Sequence, residues 1–275
     1  MNGVGTPFYG GSVAFGSGRQ KESVDKGRAH LLVCVSRAVC VVSRVGMRRR
    51  EKRMSAVKQE LVDYGVKIAG AGLVAGAGGN ISARDGEIVW MKPSGFAMDD
   101  MDPDDLCGMD LRTGDQVEGD SKPTSEVNMH LAIYRERPDA VAIFHTHSPW
   151  ASGVISAGVE LRPMFAEFIC DLGRVGTVPY VTPTTQELAD LMAAKAKECD
   201  TIFMVNHGIV ALGSTMKQAY YRCVVVEDAA KSLVAASIVG KPQFLTEQQA
   251  EELMSLDGPQ HRVRMMRGGG EAISE

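Results

Sequence analysis

A chain of 275 residues, 44% hydrophobic and 23% charged, is long enough to bury one large core or two small ones, and no apolar stretch in it reaches bilayer-spanning length. The formal net charge of −4 argues against a general nucleic-acid binder. The charge is unevenly placed: Met1 to Arg53 holds 11 Lys and Arg against 3 Asp and Glu, which leaves the other 222 residues at a formal −12. Six cysteines, Cys34, Cys40, Cys107, Cys170, Cys199 and Cys223, form no Cys-x-x-Cys pair and read as reduced, packed thiols of a cytoplasmic protein.

The opening segment is Gly- and Ser-rich, then basic, and ends in Arg48-Arg49-Arg50-Glu51-Lys52-Arg53. Charge on both sides of its short apolar stretch, Leu31 to Val35, makes it a poor secretory signal. Residues 1–53 are expected to be a poorly ordered basic leader, or residues upstream of a start at Met47 or Met54. A compact domain is expected over 54–256 and a flexible tail over 257–275, where Gly268-Gly269-Gly270 and mixed charge offer little to pack.

Within the domain, apolar spacing predicts a helix from Val57 to Leu73 that runs into the Gly-rich stretch Gly70 to Gly79. A hairpin is expected over Asn80 to Lys92, turning at Asp85-Gly86, and a second over Leu106 to Leu111, turning at Thr113-Gly114-Asp115. Ser125 to Arg137 reads as a helix stopped by Pro138, with Ser125 able to cap it. The run Ala140 to His145 reads as a strand, and Pro149 as the first residue of the next helix. A strand near Val175 to Tyr180, an amphipathic helix from Pro183 to about Cys199, a strand over Thr201 to Val205 and a long helix over Ser214 to Val239 complete the pattern. Hairpins mixed with helices imply an α/β layered domain with a mixed or largely antiparallel sheet.

Phe144-His145-Thr146-His147 carries the strongest chemical signal. Strand alternation puts His145 and His147 on one face, where two imidazoles suit a metal. His207, between a buried strand and Gly208, is the best third ligand, and Gly208 is expected to let the chain turn tightly there. Glu126 sits at a helix start, positioned to be a fourth ligand or to move a proton. His130, one helical turn on, could rival His207 but suits a supporting role better. Three segments resemble anion cradles: Gly78-Gly79-Asn80, Pro93-Ser94-Gly95 and Thr124-Ser125, whose backbone NH groups, amide and hydroxyls can serve phosphate without a lysine. No Gly-x-Gly-x-x-Gly and no Walker-type lysine is present, which disfavours dinucleotides and nucleoside triphosphates.

Taken in order, Gly-Gly-Asn, Lys-Pro-Ser-Gly, Pro-Thr-Ser-Glu, His-Thr-His and Asn-His-Gly resemble the class II aldolase/adducin family, most of all its L-fuculose-1-phosphate aldolase branch, over about Val57 to Val239. The resemblance implies a three-layer α/β/α domain, and a Zn²⁺, Mn²⁺ or Co²⁺ ion on His145, His147 and His207, with Glu126 as acid/base group and resting-state ligand. It also implies a phosphate site made by Gly79, Asn80, Ser94, Gly95, Thr124 and Ser125, and a homotetramer with active sites at its interfaces. The expected reaction is cleavage of a ketose 1-phosphate to dihydroxyacetone phosphate and an aldehyde, with neither nucleic acid nor membrane as partner. Thr124 stands where many relatives have serine, so the hydroxyl survives. The tyrosines that donate a proton to the aldehyde in the fuculose branch are missing: the stretch Pro163 to Glu167 has none, and none follows Tyr221. Glu167 and Tyr180 are the candidate replacements.

The same ligand set also serves sugar-phosphate 4-epimerases, dehydratases and decarboxylases. No Thr-His-Ala-Asp-like segment follows His147, which disfavours the epimerase. A non-catalytic, adducin-like interaction domain is disfavoured by retention of all three histidines and Glu126. A metallohydrolase using His130 with His145, His147 and Glu126 is the remaining rival.

Overall fold

The computed structural model describes residues 51–268. Expectations for residues 1–50 and 269–275 lie outside the described residues. Helix α1 occupies 51–70, so the ordered domain already includes three residues assigned to the leader from sequence. Arg53 there pairs with Asp85 of the first hairpin at 2.5 Å.

Eight strands form one sheet: β1 (Asn80–Asp85), β2 (Ile88–Met91), β3 (Cys107–Asp110), β4 (Gln116–Glu118), β5 (Ala142–Thr146), β6 (Val175–Val178), β7 (Thr201–Met204) and β8 (Gly208–Gly213). Their spatial order is β4-β3-β2-β1-β5-β8-β7-β6, antiparallel throughout except for the β6–β7 pair. Around it lie α2 (Val127–Glu136), α3 (Pro149–Ser156), α4 (Ala166–Leu172), α5 (Gln186–Ala196), α6 (Met216–Val239), α7 (Glu247–Ser255) and α8 (Asp257–Met266).

Strand alternation sorts the core into two apolar layers. Ile81, Trp90, Phe144, Phe203 and Ile209 pack with Leu61 and Ile68 of α1 and with α3, α4 and α6. Val89, Met91, Ile143, Ile202 and Val210 pack on the other face with α2 and α5. This is the α/β/α, largely antiparallel arrangement anticipated from the sequence. Both hairpins and the β5, β6 and β7 strands lie where their patterns put them, and Pro149 begins α3.

Three differences are instructive. Strand β8 escapes the pattern because all six of its residues are buried, so it shows no polar alternation. The N-cap position of α2 is Glu126, not Ser125, and its side chain makes no capping bond: the Glu126 and Val127 amides donate back to Thr124 instead. Residues 257–266, read as part of a flexible tail, form α8. There Met266 is buried at 2% exposure, Arg262 donates to both Asp171 oxygens, and Thr215 donates to the Met266 carbonyl. The sequence hides this because the segment's anchoring partners sit about 50 and 90 residues upstream. No helix among the described residues is long and apolar enough to cross a membrane.

Candidate metal centre and active site

The centre strand β5 delivers His145 beside Asn80 of β1 and Val210 of β8. Two residues on, just past the strand end, His147 still follows the strand alternation. His207 enters from the β7–β8 turn, whose ends Met204 and Gly208 pair directly. The turn is made by Asn206, at φ 57°, and not by Gly208 as the sequence suggested. Gly208 is needed for a different reason: a Cβ there would collide with the Thr146 carbonyl and come within 3.1 Å of the His147 ring. Absence of that one carbon lets β8 close against the metal-facing strand.

The three imidazoles offer nitrogen atoms lying within 4.8 Å of one another, the only such group of potential ligands among the described residues. His145 Nε2 is 3.0 Å from His147 Nε2. Glu126, at the N-terminal end of α2, places Oε2 3.2 Å from His145 Nε2 and Oε1 3.6 Å from His207 Nε2. His145 Nδ1 meets the Ile209 carbonyl at 2.9 Å, which makes Nδ1 the protonated nitrogen and turns the Nε2 lone pair toward the cluster.

Electrostatics show what this arrangement needs. Burial pushes the Glu126 carboxyl up, but the His145 charge and hydrogen bond, the Asn80 amide and His207 together outweigh it and hold Glu126 well below the usual carboxylate range. Burial pushes His145 down, yet the Glu126 charge and hydrogen bond lift it above its ordinary value. His147 and His207 are each lowered to about 4, by burial first and by the His145 charge second. Buried Glu126 Oε1 and His207 Nδ1 have no hydrogen-bond partner. Two neutral imidazoles, a third answering to a carboxylate, and a buried carboxylate oxygen left over form a donor set that fits a divalent first-row ion.

His130 does not join the cluster. Both of its nitrogens are taken: Nδ1 accepts from Ser82 at 2.7 Å and Nε2 donates to Asn80 Oδ1 at 2.5 Å. Burial lowers it to about 3, so it is a neutral link. Asn80 Nδ2 in turn donates to Glu126 Oε2 at 2.8 Å. The Asn80 amide, expected from sequence to face phosphate, is thereby engaged in orienting the carboxylate.

A cavity of about 320 Å³ opens over Glu126, His147 and His207. Its walls include Gly79, Asn80, Ser94, Gly95, Thr124 and Ser125, so every segment read as an anion cradle faces one space. The juxtaposition is built by a bridge between Pro93 and Pro123 and by the Ser94 amide donating to the Lys122 carbonyl at 2.8 Å. Gly79, at φ 66°, passes so close to the His145 carbonyl that a Cβ would lie 2.7 Å from it. His145 lies behind this lining at 0% exposure.

Sequence reasoning missed Lys92, Pro183 and Thr184, which also line the cavity. Lys92 is buried, donates to the Ala77 and Pro93 carbonyls, and is lowered to about 8 by burial. Its place in Lys-Pro-Ser-Gly was the available signal. Thr184 left none, since its φ of 70° is a property of the fold. Glu167 pairs with Arg262 and Tyr180 is exposed; neither lines the cavity.

The profile of the class II aldolase and adducin N-terminal domain matches residues 59–234. This chain belongs to the class II aldolase and adducin family. It is 36% identical over 199 residues to the 5-deoxy-D-ribulose 1-phosphate aldolase of Bacillus thuringiensis serovar kurstaki, covering 71% of this chain and 92% of that one. It is 38% identical over 160 residues to the L-fuculose phosphate aldolase of Methanococcus vannielii, covering 58% and 84%. A solved L-fuculose 1-phosphate aldolase superposes with a TM-score of 0.67 at 34% identity, over 73% of this chain and 95% of that chain. A 3-oxo-tetronate 4-phosphate decarboxylase of Escherichia coli is 30% identical over 212 residues, covering 72% and 97%. Within the family, this chain is an enzyme of the class II aldolase type.

Proposed function

We propose that this protein is a metal-dependent aldolase that cleaves a ketose 1-phosphate to dihydroxyacetone phosphate and an aldehyde. The observation that carries the reading is a cluster of three converging imidazoles, two of which face, with Glu126, a single cavity walled by hydroxyl and amide donors. His145, His147 and His207 would hold the ion, with Glu126 as a fourth ligand at rest; Zn²⁺ suits the donors, as would Mn²⁺ or Co²⁺. When bound, the ion supplies Lewis acidity toward the substrate carbonyl.

The chain's own residues do the rest. Gly79, Ser94, Gly95, Thr124 and Ser125 receive the phosphate, and Lys92 adds a cationic donor from below. In the synthetic direction Glu126, ionised, takes a proton from the carbon beside the dihydroxyacetone phosphate carbonyl. In cleavage the C4 hydroxyl proton passes to Glu126 as the aldehyde forms and the C3–C4 bond breaks with its electron pair left on the C3 side, and Glu126 then delivers that proton to C3 and ends ionised as it began. Asn80, held by His130, keeps the carboxylate aimed.

The reading extends to a phosphorylated sugar as substrate, in keeping with the similar aldolases, and to a cytoplasmic homotetramer with active sites at its interfaces. A second reading, decarboxylation of an oxo-acid phosphate, rests on the similarity to the Escherichia coli decarboxylase. The test is elemental analysis of the purified full-length protein coupled to product detection with L-fuculose 1-phosphate, 5-deoxy-D-ribulose 1-phosphate and 3-oxo-tetronate 4-phosphate. One ion per chain with dihydroxyacetone phosphate release is the expected result. Carbon dioxide from the last substrate alone would transfer the assignment to the decarboxylase, and absence of metal would overturn both.

A further inference from the structure

A second polar cavity, of about 390 Å³, lies at the other end of the β5–β8 strand pair. The ladder runs from Thr146–Ile209 beside the histidines to Ala142–Gly213, a span of about 13 Å for four residues at strand pitch. The far cavity is lined by Ala140, Leu212 and Gly213 at this ladder end and by Ser214 and Gln218 at the start of α6. Four arginines, Arg137, Arg174, Arg222 and Arg267, share it with two aspartates, Asp139 and Asp200.

The aspartates are already spent on two of the arginines. Arg137 is bidentate to Asp139, at 2.8 and 2.7 Å, and meets Asp200 Oδ1 at 2.8 Å. Asp200 Oδ2 accepts from the Arg174 amide at 3.1 Å and faces its Nε at 3.6 Å. All four carboxylate oxygens therefore have cationic or amide partners. Among the described residues Arg222 and Arg267 make no ion pair. Arg222 is buried to 5% exposure and donates only to the backbone carbonyls of Asp171 and Leu212. Gly173 makes room for it, since a Cβ there would lie 2.8 Å from Arg222 Nη2 and 2.7 Å from Asp200 Oδ2. Arg267 is brought over the cavity because Thr215, the N-cap of α6, anchors the end of α8 through the Met266 carbonyl at 2.7 Å. Burial holds Arg222 down at about 10; the Asp200 charge, helped by Asp139, opposes this, and the like charges of Arg137 and Arg267 add to the lowering. Asp200 acts on Arg222 without pairing with it and is itself engaged by Arg137 and Arg174, and a buried cation whose nearest carboxylate is shared in this way is a costly arrangement that a bound anion relieves.

We infer that this arginine cavity is a binding site for a phosphate-type dianion, separate from the catalytic cavity. The excess of two guanidinium charges matches a dianion, guanidinium forks suit tetrahedral oxyanions, and the volume falls in the range of small-ligand sites. The shared chemistry is the phosphoryl group, whether free phosphate or the phosphate of a small metabolite. Nothing in this inference depends on the aldolase reading.

The test is isothermal titration of the full-length protein with inorganic phosphate and, separately, with glucose 1-phosphate, an aldose ester that class II aldolase chemistry does not cleave. The variant is Arg174→Ala/Arg267→Ala, two exposed residues whose loss leaves the core untouched; unchanged far-ultraviolet circular dichroism verifies its fold. The expected result is a saturable binding event in the native protein that weakens at least tenfold in the variant, with catalytic turnover at saturating substrate unchanged. Tighter binding of the ester than of phosphate would identify a phosphorylated metabolite, and equal binding free phosphate. Identical isotherms for native and variant protein, or no saturable binding to the native protein at millimolar ligand, would overturn the inference.

Discussion

The two ends of the β5–β8 ladder hold cavities of similar size and opposite chemistry. At one end are imidazole lone pairs and a surplus carboxylate oxygen, at the other guanidinium groups whose carboxylates are already used. Each is defined by what its buried charges lack: a cation in the first, an anion in the second. A sheet interior can position such sets because the strands between them, Ala142 to Thr146 and Gly208 to Gly213, are fully buried and fixed in register. Burial makes the imbalance felt, since charges that water would compensate at the surface must find a partner here.

The comparison breaks most sharply at the ligands. His147→Ala should abolish stoichiometric metal by elemental analysis and lower turnover by more than about 100-fold, the upper end of what losing a mere supporting bond costs a metal site. Retention of one ion per chain would remove His147 from the set. Glu126→Gln keeps the shape and the Asn80 contact while removing the base. It should leave metal content intact and reduce turnover roughly 100- to 10,000-fold, and full activity would refute the acid/base role. Lys92→Met should act on binding: loss of a charge-assisted hydrogen bond, about 1.5–3 kcal/mol, raises KM tenfold or more with kcat little changed. Lowered to about 8, Lys92 is charged below that pH and neutral above it, so the native KM should rise as pH passes 8 and that of Lys92→Met should not. Equal pH dependence in the two would show that Lys92 does not touch substrate.

The clustering at the histidine end was largely legible in the sequence, and almost none of that at the arginine end. His145 and His147 sit on one strand two residues apart, and Glu126, Thr124 and Ser125 on one short segment, so local spacing carries their relation. The strand period and the turn residues then sufficed. Arg137, Arg174, Arg222 and Arg267 come from four separate elements, and each alone reads as an ordinary charged residue. Only the pairing of β7 with β6 and β8 and the docking of α8 bring them together. Lys92 was missed for a related reason: whether a lysine faces solvent or a cavity depends on the layer above it. Gly208 was recognised as significant, but its role comes from a neighbour 62 positions away, the Thr146 carbonyl, and not from its own turn.

His130 sharpens the contrast between a histidine that awaits a cation and one that does not. It is fully buried, hydrogen-bonded at both nitrogens, and lowered to about 3 by burial, with the Glu126 charge only partly opposing that shift. In the unfolded chain it titrates near its ordinary value of about 6.5. Between these values the unfolded state binds a proton that the folded state refuses, so the contribution of His130 to stability is complete above about pH 6.5 and is lost as pH falls toward 3. One such group contributes up to about 1.4 kcal/mol per pH unit. His147 and His207, at about 4, act in the same direction in metal-free protein. Urea denaturation of EDTA-treated protein between pH 7 and pH 5 should therefore show stability falling with acidification. His130→Asn should be less stable at pH 7, through loss of the Ser82 and Asn80 bonds, and flatter with pH by up to that slope. A variant as steep as the native protein would mean that His130 accepts a proton in the folded state, and that its link from Ser82 through Asn80 to Glu126 is not the neutral one its bonding pattern requires.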